Sequence, residues 1–167
     1  MAEAATIFAR ATAAGRAGVG IIRISGAQAL AAARHFGRSS PLPQRHAVLQ
    51  RFSVDGEFID AGLILYFAAP HSFTGEDVLE FQLHGGSAIL NRVLKELSSL
   101  PDFRLARPGE FSQRAFLNQK MDLTQAEGLV DSINAETERQ RQQAARLMQG
   151  HAAQFFEDLR ARILHPM

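Results

Sequence analysis

The sequence predicts an α+β fold, a mixed sheet with helices over residues 1–119, followed by an all-helical segment over residues 120–167 that is expected to be incomplete. Three observations predict it. Stretches rich in β-branched or strictly alternating residues recur up to residue 106. Two helical runs interrupt them. From Glu110 onward every plausible element is helical.

Ala5–Thr12 is a short candidate strand, and Val19–Ser25 (VGIIRIS) is a stronger one because of its β-branched residues. Ala13–Gly18 between them is a glycine-containing loop. Ala27–Phe36 is alanine-rich and reads as a helix stopping at Gly37. SSPLPQ, residues 39–44, is a loop. His46–Val54 and Glu57–Phe67 flank Asp55-Gly56, a pair that tolerates the positive φ angles of a tight hairpin turn. Ala68–Gly75 is a further loop. Asp77–His84 alternates, with Leu79, Phe81 and Leu83 on one face and Val78, Glu80, Gln82 and His84 on the other. Gly85-Gly86 leads into a helix over Ser87–Ser98, and Phe103–Ala106 is a last short strand.

Glu110–Asn118 reads as a helix. Asp122 with Gln125, and Thr137 with Gln140, have the spacing of capping boxes. Ala145, Met148, Ala152, Phe155, Leu159 and Ile163 form the apolar stripe of an amphipathic helix, which must be covered by something other than itself.

Composition bounds the function. The net charge of +1 gives no single-sign field on which to argue nucleic-acid binding. The absence of cysteine excludes disulfides, thiol catalysis and thiolate metal ligands. The N-terminus lacks a basic-then-apolar leader pattern, and no apolar run reaches 18 residues, so a cytoplasmic protein without membrane association is expected. The six histidines lack metal-ligand spacing, so no metal site is expected. Twelve phenylalanines against one tyrosine and no tryptophan read as core. The arginines at 139, 141, 146, 160 and 162 lie among glutamates and glutamines and read as a solvated helix face.

Three segments carry a family resemblance: ATIFARATAAGRAGVGIIRISG (5–26), SFTGEDVLEFQLHGG (72–86) and ARPGEFSQRAFLNQKMDLTQAEGLVDSINAET (106–137). Together they resemble the N-terminal, folate-binding part of the bacterial tRNA-modification GTPase family MnmE, or TrmE. The resemblance implies an aminomethyltransferase-like folate-binding domain that also forms a homodimer, followed by the opening helices of a helical domain. In that family a Ras-like G domain, with its GTP, Mg2+ and K+, is inserted in the helical domain. The whole family protein works with a FAD-dependent partner, MnmG or GidA, on C5 of the wobble uridine of certain tRNAs. None of the G-domain motifs occurs among these 167 residues. There is no G-x-x-x-x-G-K-[ST] loop and no N-K-x-D string. This chain is therefore expected to have no GTPase activity and no catalytic residue of its own.

The resemblance carries three cofactor-binding positions over: Arg23 in VGIIRISG, Glu80 in EDVLEFQ and Lys120 in LNQKMDL. It implies a tetrahydrofolate derivative, 5-formyl-tetrahydrofolate or a similar one-carbon donor, as ligand. Their chemistry suits it. A carboxylate accepts both N–H groups at the amino edge of a pterin, and a cation neutralises the carboxylates of a folate tail. Read without the resemblance, Arg23 and Glu80 are equally a cross-strand ion pair. His84-Gly85-Gly86 offers helix N-terminal amides to a ligand, or simply lets a strand pack closely on a helix. GRAGVG (15–20) runs into a strand rather than opening a helix, which argues against a phosphate cradle. Two rival functions remain: a standalone folate-dependent one-carbon transferase, and a structural dimer module with a vestigial pocket.

Overall fold

A computed structural model describes residues 5–150. The chain divides into two compact units, Met1–Arg114 and Ala115–Met167.

The first unit is built on one six-stranded sheet. Its strands are β1 (Thr6–Arg10), β2 (Ala17–Ser25), β3 (Val48–Val54), β4 (Glu57–Phe67), β5 (Val78–Gly85) and β6 (Phe103–Leu105). The spatial order is β3-β4-β5-β2-β1-β6. Only β1 and β6 run parallel, so the sheet is mixed. The Asp55-Gly56 turn has φ angles of 50° and 83°. Two consecutive positive values identify the twisted two-residue hairpin that the sequence signals.

Two helices supply the core. α1 (Ala29–His35) packs through Ala29, Ala32 and Ala33, and α2 (Ser87–Ser98) through Leu90, Val93 and Leu97. Small alanines let the short helix lie close to Phe36, Phe52 and Phe81, whose rings meet at centroid distances of 5.0–5.9 Å. Phe8, Ile22, Ile24, Ile64, Leu79 and Leu83 complete this side of the sheet. α1 ends as expected at Gly37 (φ 89°), where the Arg38 N–H donates to the Ala33 carbonyl and the Gly37 N–H to that of Arg34. This is the glycine-terminated closure of orphan helix carbonyls.

Strand alternation then assigns the opposite face. Register places Leu65, Glu80, Arg23 and Ala9 in one row across β4, β5, β2 and β1. Among their neighbours along the strands, Phe8, Ile22, Ile24, Ile64, Leu79 and Phe81 point into the core.

α3 (Glu110–Leu117) contains the division between the units. The second unit continues with α4 (Leu123–Asn134) and α5 (Glu138–Met148). Both predicted capping boxes form. Asp122 accepts from the Gln125 N–H at 2.8 Å, and Thr137 accepts from the Gln140 N–H at 3.3 Å. The apolar stripe needs correction where it is described. Ala144 is buried, Ala145 is half-buried and Met148 is 41% exposed. The cause is a close crossing at Gly128, where an added Cβ would stand 2.7 Å from Leu147 Cβ and 3.0 Å from the Ala144 carbonyl oxygen. That contact turns Ala144 and Leu147 inward. The stripe positions Ala152, Phe155, Leu159 and Ile163, with Arg160 and Arg162, lie outside the described residues. Among the described residues, no helix is long and apolar enough to cross a membrane.

Candidate functional site

Arg23 and Glu80 are register partners on β2 and β5. The Arg23 side chain donates from Nε to Glu80 Oε1 at 2.8 Å, and its second nitrogen lies 2.7 Å from the same oxygen. Charge assistance makes such bonds stronger than neutral ones. Their side chains keep 30% and 15% exposure, so the pair sits half-buried on the face away from α1 and α2 rather than in the core. Both contacts use Oε1.

Two aromatic rings flank the guanidinium. Its carbon lies 5.3 Å from the Phe73 ring centroid and 5.9 Å from that of Phe111, within the range of cation–π attraction. Phe73 comes from the loop between β4 and β5, and Phe111 from the first turn of α3. Both rings are partly exposed.

A buried polar cluster holds those two segments. Ser25 Oγ lies 2.6 Å from Thr74 Oγ1 and donates to Glu76 Oε2 at 2.7 Å. Arg114 donates to both Glu76 oxygens at 3.0 Å and to the Ala5 carbonyl at 2.8 Å. It lies 3.4 Å from Glu110 as well. Glu110 itself is gripped by Arg104 at 2.8 Å and accepts from the Arg107 N–H at 2.8 Å. The Arg104 hydrogen bond is the main reason its carboxyl is held down to about 2, against an opposing contribution from burial. α3 is thus tied to the residue preceding β1 through the Ala5 carbonyl, and to the loop bearing Phe73 through the Arg114–Glu76 ion pair.

The structure joins Arg23 with Glu80, two of the three expected cofactor positions. Lys120 belongs to the second unit, exposed in the turn between α3 and α4, where its N–H donates to the Ala115 carbonyl at 2.8 Å. Sequence reasoning missed Phe73, Phe111 and the Glu76–Arg114 clamp. Their strings, SFTGED and GEFSQR, were visible, but a loop and a helix start have no periodicity that tells which sheet face they cover.

This arrangement suits a flat, hydrogen-bond-donating heterocycle with an anionic extension. The carboxylate accepts, the two rings offer apolar faces, and the guanidinium balances negative charge.

Comparison with known proteins identifies the family. Residues 6–120 match the family described as the GTP-binding protein TrmE N-terminus. The chain is 51% identical over 97% of its length to a tRNA modification GTPase MnmE of Parvibaculum lavamentivorans, covering 37% of that protein. It is 48% identical over 96% of its length to the protein of the same name from Pseudoalteromonas translucida, covering 35% of it. The chain therefore spans little more than a third of the length of these relatives.

Proposed function

Since the chain belongs to the family of TrmE N-termini, we propose that it is the folate-binding and dimerising module of a tRNA wobble-uridine modification GTPase. Its ligand is a 5-formyl-tetrahydrofolate-like one-carbon donor, and the module by itself hydrolyses no GTP. The observation that carries this reading is the Arg23–Glu80 pair between Phe73 and Phe111, set on the sheet face that the core helices leave open.

When bound, the folate supplies the one-carbon unit. Glu80 would accept the paired N–H donors at the amino edge of the pterin, a contact that uses both carboxylate oxygens and so shares the Oε1 that Arg23 holds. Phe73 and Phe111 exclude water from the ring faces. Lys120 or Arg23 would neutralise carboxylates of the tail. In the whole protein this module works as a homodimer alongside the G domain and a FAD-dependent partner, with tRNA as substrate, in the cytoplasm.

Calorimetric titration of the chain with 5-formyl-tetrahydrofolate tests the ligand. Saturable binding that Glu80→Ala abolishes supports the reading. Absence of binding, or binding indifferent to that substitution, refutes it. Sedimentation equilibrium tests dimerisation separately.

A further inference from the structure

β4 and β5 pair from Phe67↔Val78 to Leu63↔Gln82, and the ladder then stops. A separate irregularity lies further along β4. A β-bulge between Phe52 and Ser53 of β3 leaves Ile59 as the extra residue on β4, since Phe52 faces Asp60 and Ser53 faces Phe58. Bulges bend a strand and re-aim its side chains. Here the re-aimed side chain is Asp60, which is only 7% exposed. Its carboxylate stands where a strand carbonyl would otherwise be. Oδ2 accepts the His84 N–H at 2.9 Å, and Oδ1 lies 2.7 Å from His84 Nδ1.

The two oxygens do different work. Satisfying a backbone N–H past the end of a ladder explains Oδ2. It does not explain Oδ1. A carboxylate that only accepts requires the proton on Nδ1, so whenever the ring is neutral Nε2 is its acceptor nitrogen. The imidazole is 69% exposed although its Nδ1 side is fixed. An oriented ring that presents a lone pair to solvent is built to receive a proton donor.

His84 also lies on the relevant face. Leu79, Phe81 and Leu83 of β5 are buried in the core, so Glu80, Gln82 and His84 share the opposite face. Four residues of extended strand place His84 about 13 Å along β5 from Glu80. A reduced folate with its tail is longer than this span, so one molecule can reach from Glu80 to the imidazole.

We propose that His84 is a ligand-binding residue, its Nε2 accepting an N–H of the folate bound at Glu80, and that Asp60 is the positioning residue that fixes its tautomer. This rests on the folate reading above. Two substitutions of the full chain separate it from a merely structural clip. His84→Asn keeps a donor toward Asp60 and the same backbone N–H but removes the ε nitrogen. Asp60→Asn keeps an acceptor for the backbone N–H but puts a donor opposite Nδ1.

Nitrogen-15 NMR of the ring is expected to show the Nδ1–H tautomer in the parent and Nε2–H in Asp60→Asn. In calorimetry, both variants are expected to bind 5-formyl-tetrahydrofolate about tenfold more weakly, with unchanged thermal unfolding in His84→Asn. Binding by His84→Asn equal to the parent, or an Nε2–H tautomer in the parent, overturns the proposal while leaving the Glu80 site standing. Failure of the parent chain to bind overturns both.

Discussion

Arg23 and Glu80 are separated by 57 positions in sequence and joined by a 2.8 Å hydrogen bond, because β2 and β5 are adjacent in exact opposite register there. The pair needs no ligand to be satisfied. A ligand taken at Glu80 therefore competes with, or shares, an existing ion pair.

The strength of that pair can be measured. A double-mutant cycle with Arg23→Met and Glu80→Gln, followed by urea unfolding, is expected to give a coupling energy of about 1 kcal/mol. A value near zero would mean the two side chains are held by the sheet rather than by each other.

Arg114 is expected to be far less tolerant. Only 9% exposed, it bonds Glu76 and the Ala5 carbonyl and lies near Glu110. Arg114→Met leaves buried acceptors without their donor and should cost about 3 kcal/mol in urea unfolding. The same variant should weaken folate binding, because Phe73 and Phe111 sit on the segments this residue fastens.

Glu110 makes the fold acid-sensitive. Arg104, above all, holds its folded-state carboxyl down to about 2 from an ordinary value of 4.5. A depressed carboxyl contributes stability that is complete above the ordinary value and is lost as pH falls toward the depressed one. Stability should therefore decline between about pH 5 and pH 2, and Glu110→Gln should flatten that decline. Urea midpoints measured across this range in both proteins provide the check. A parallel decline in both would assign the acid sensitivity elsewhere.

In the second unit, Asp122→Ala removes the acceptor of the Gln125 N–H and of the Thr124 hydroxyl. Loss of an N-cap costs about 1 kcal/mol. Amide hydrogen exchange in the first turn of α4 should accelerate about fivefold, with the sheet amides unaffected.

Much of this protein is determined by short stretches of sequence. The Asp55-Gly56 turn, the glycine stop of α1, the core face of β5 and both capping boxes each depend on residues within about four positions of one another. Local sterics and local hydrogen bonds therefore settle them before any tertiary contact exists. The three family strings are likewise read directly from the chain. Tertiary structure decided which residues meet. Alternation places Glu80 and His84 on one face of β5 but says nothing about which strand lies alongside. Strand order brought Arg23 to Glu80, and Asp60, beside the bulge in β4, meets His84 past the end of the β4–β5 ladder. The rings of Phe73 and Phe111 reached Arg23 from a loop and a helix start, where no periodic signal exists. Long-range partners depend on register, on crossings and on where a ladder stops, and these follow from packing the whole sheet rather than from any segment of it.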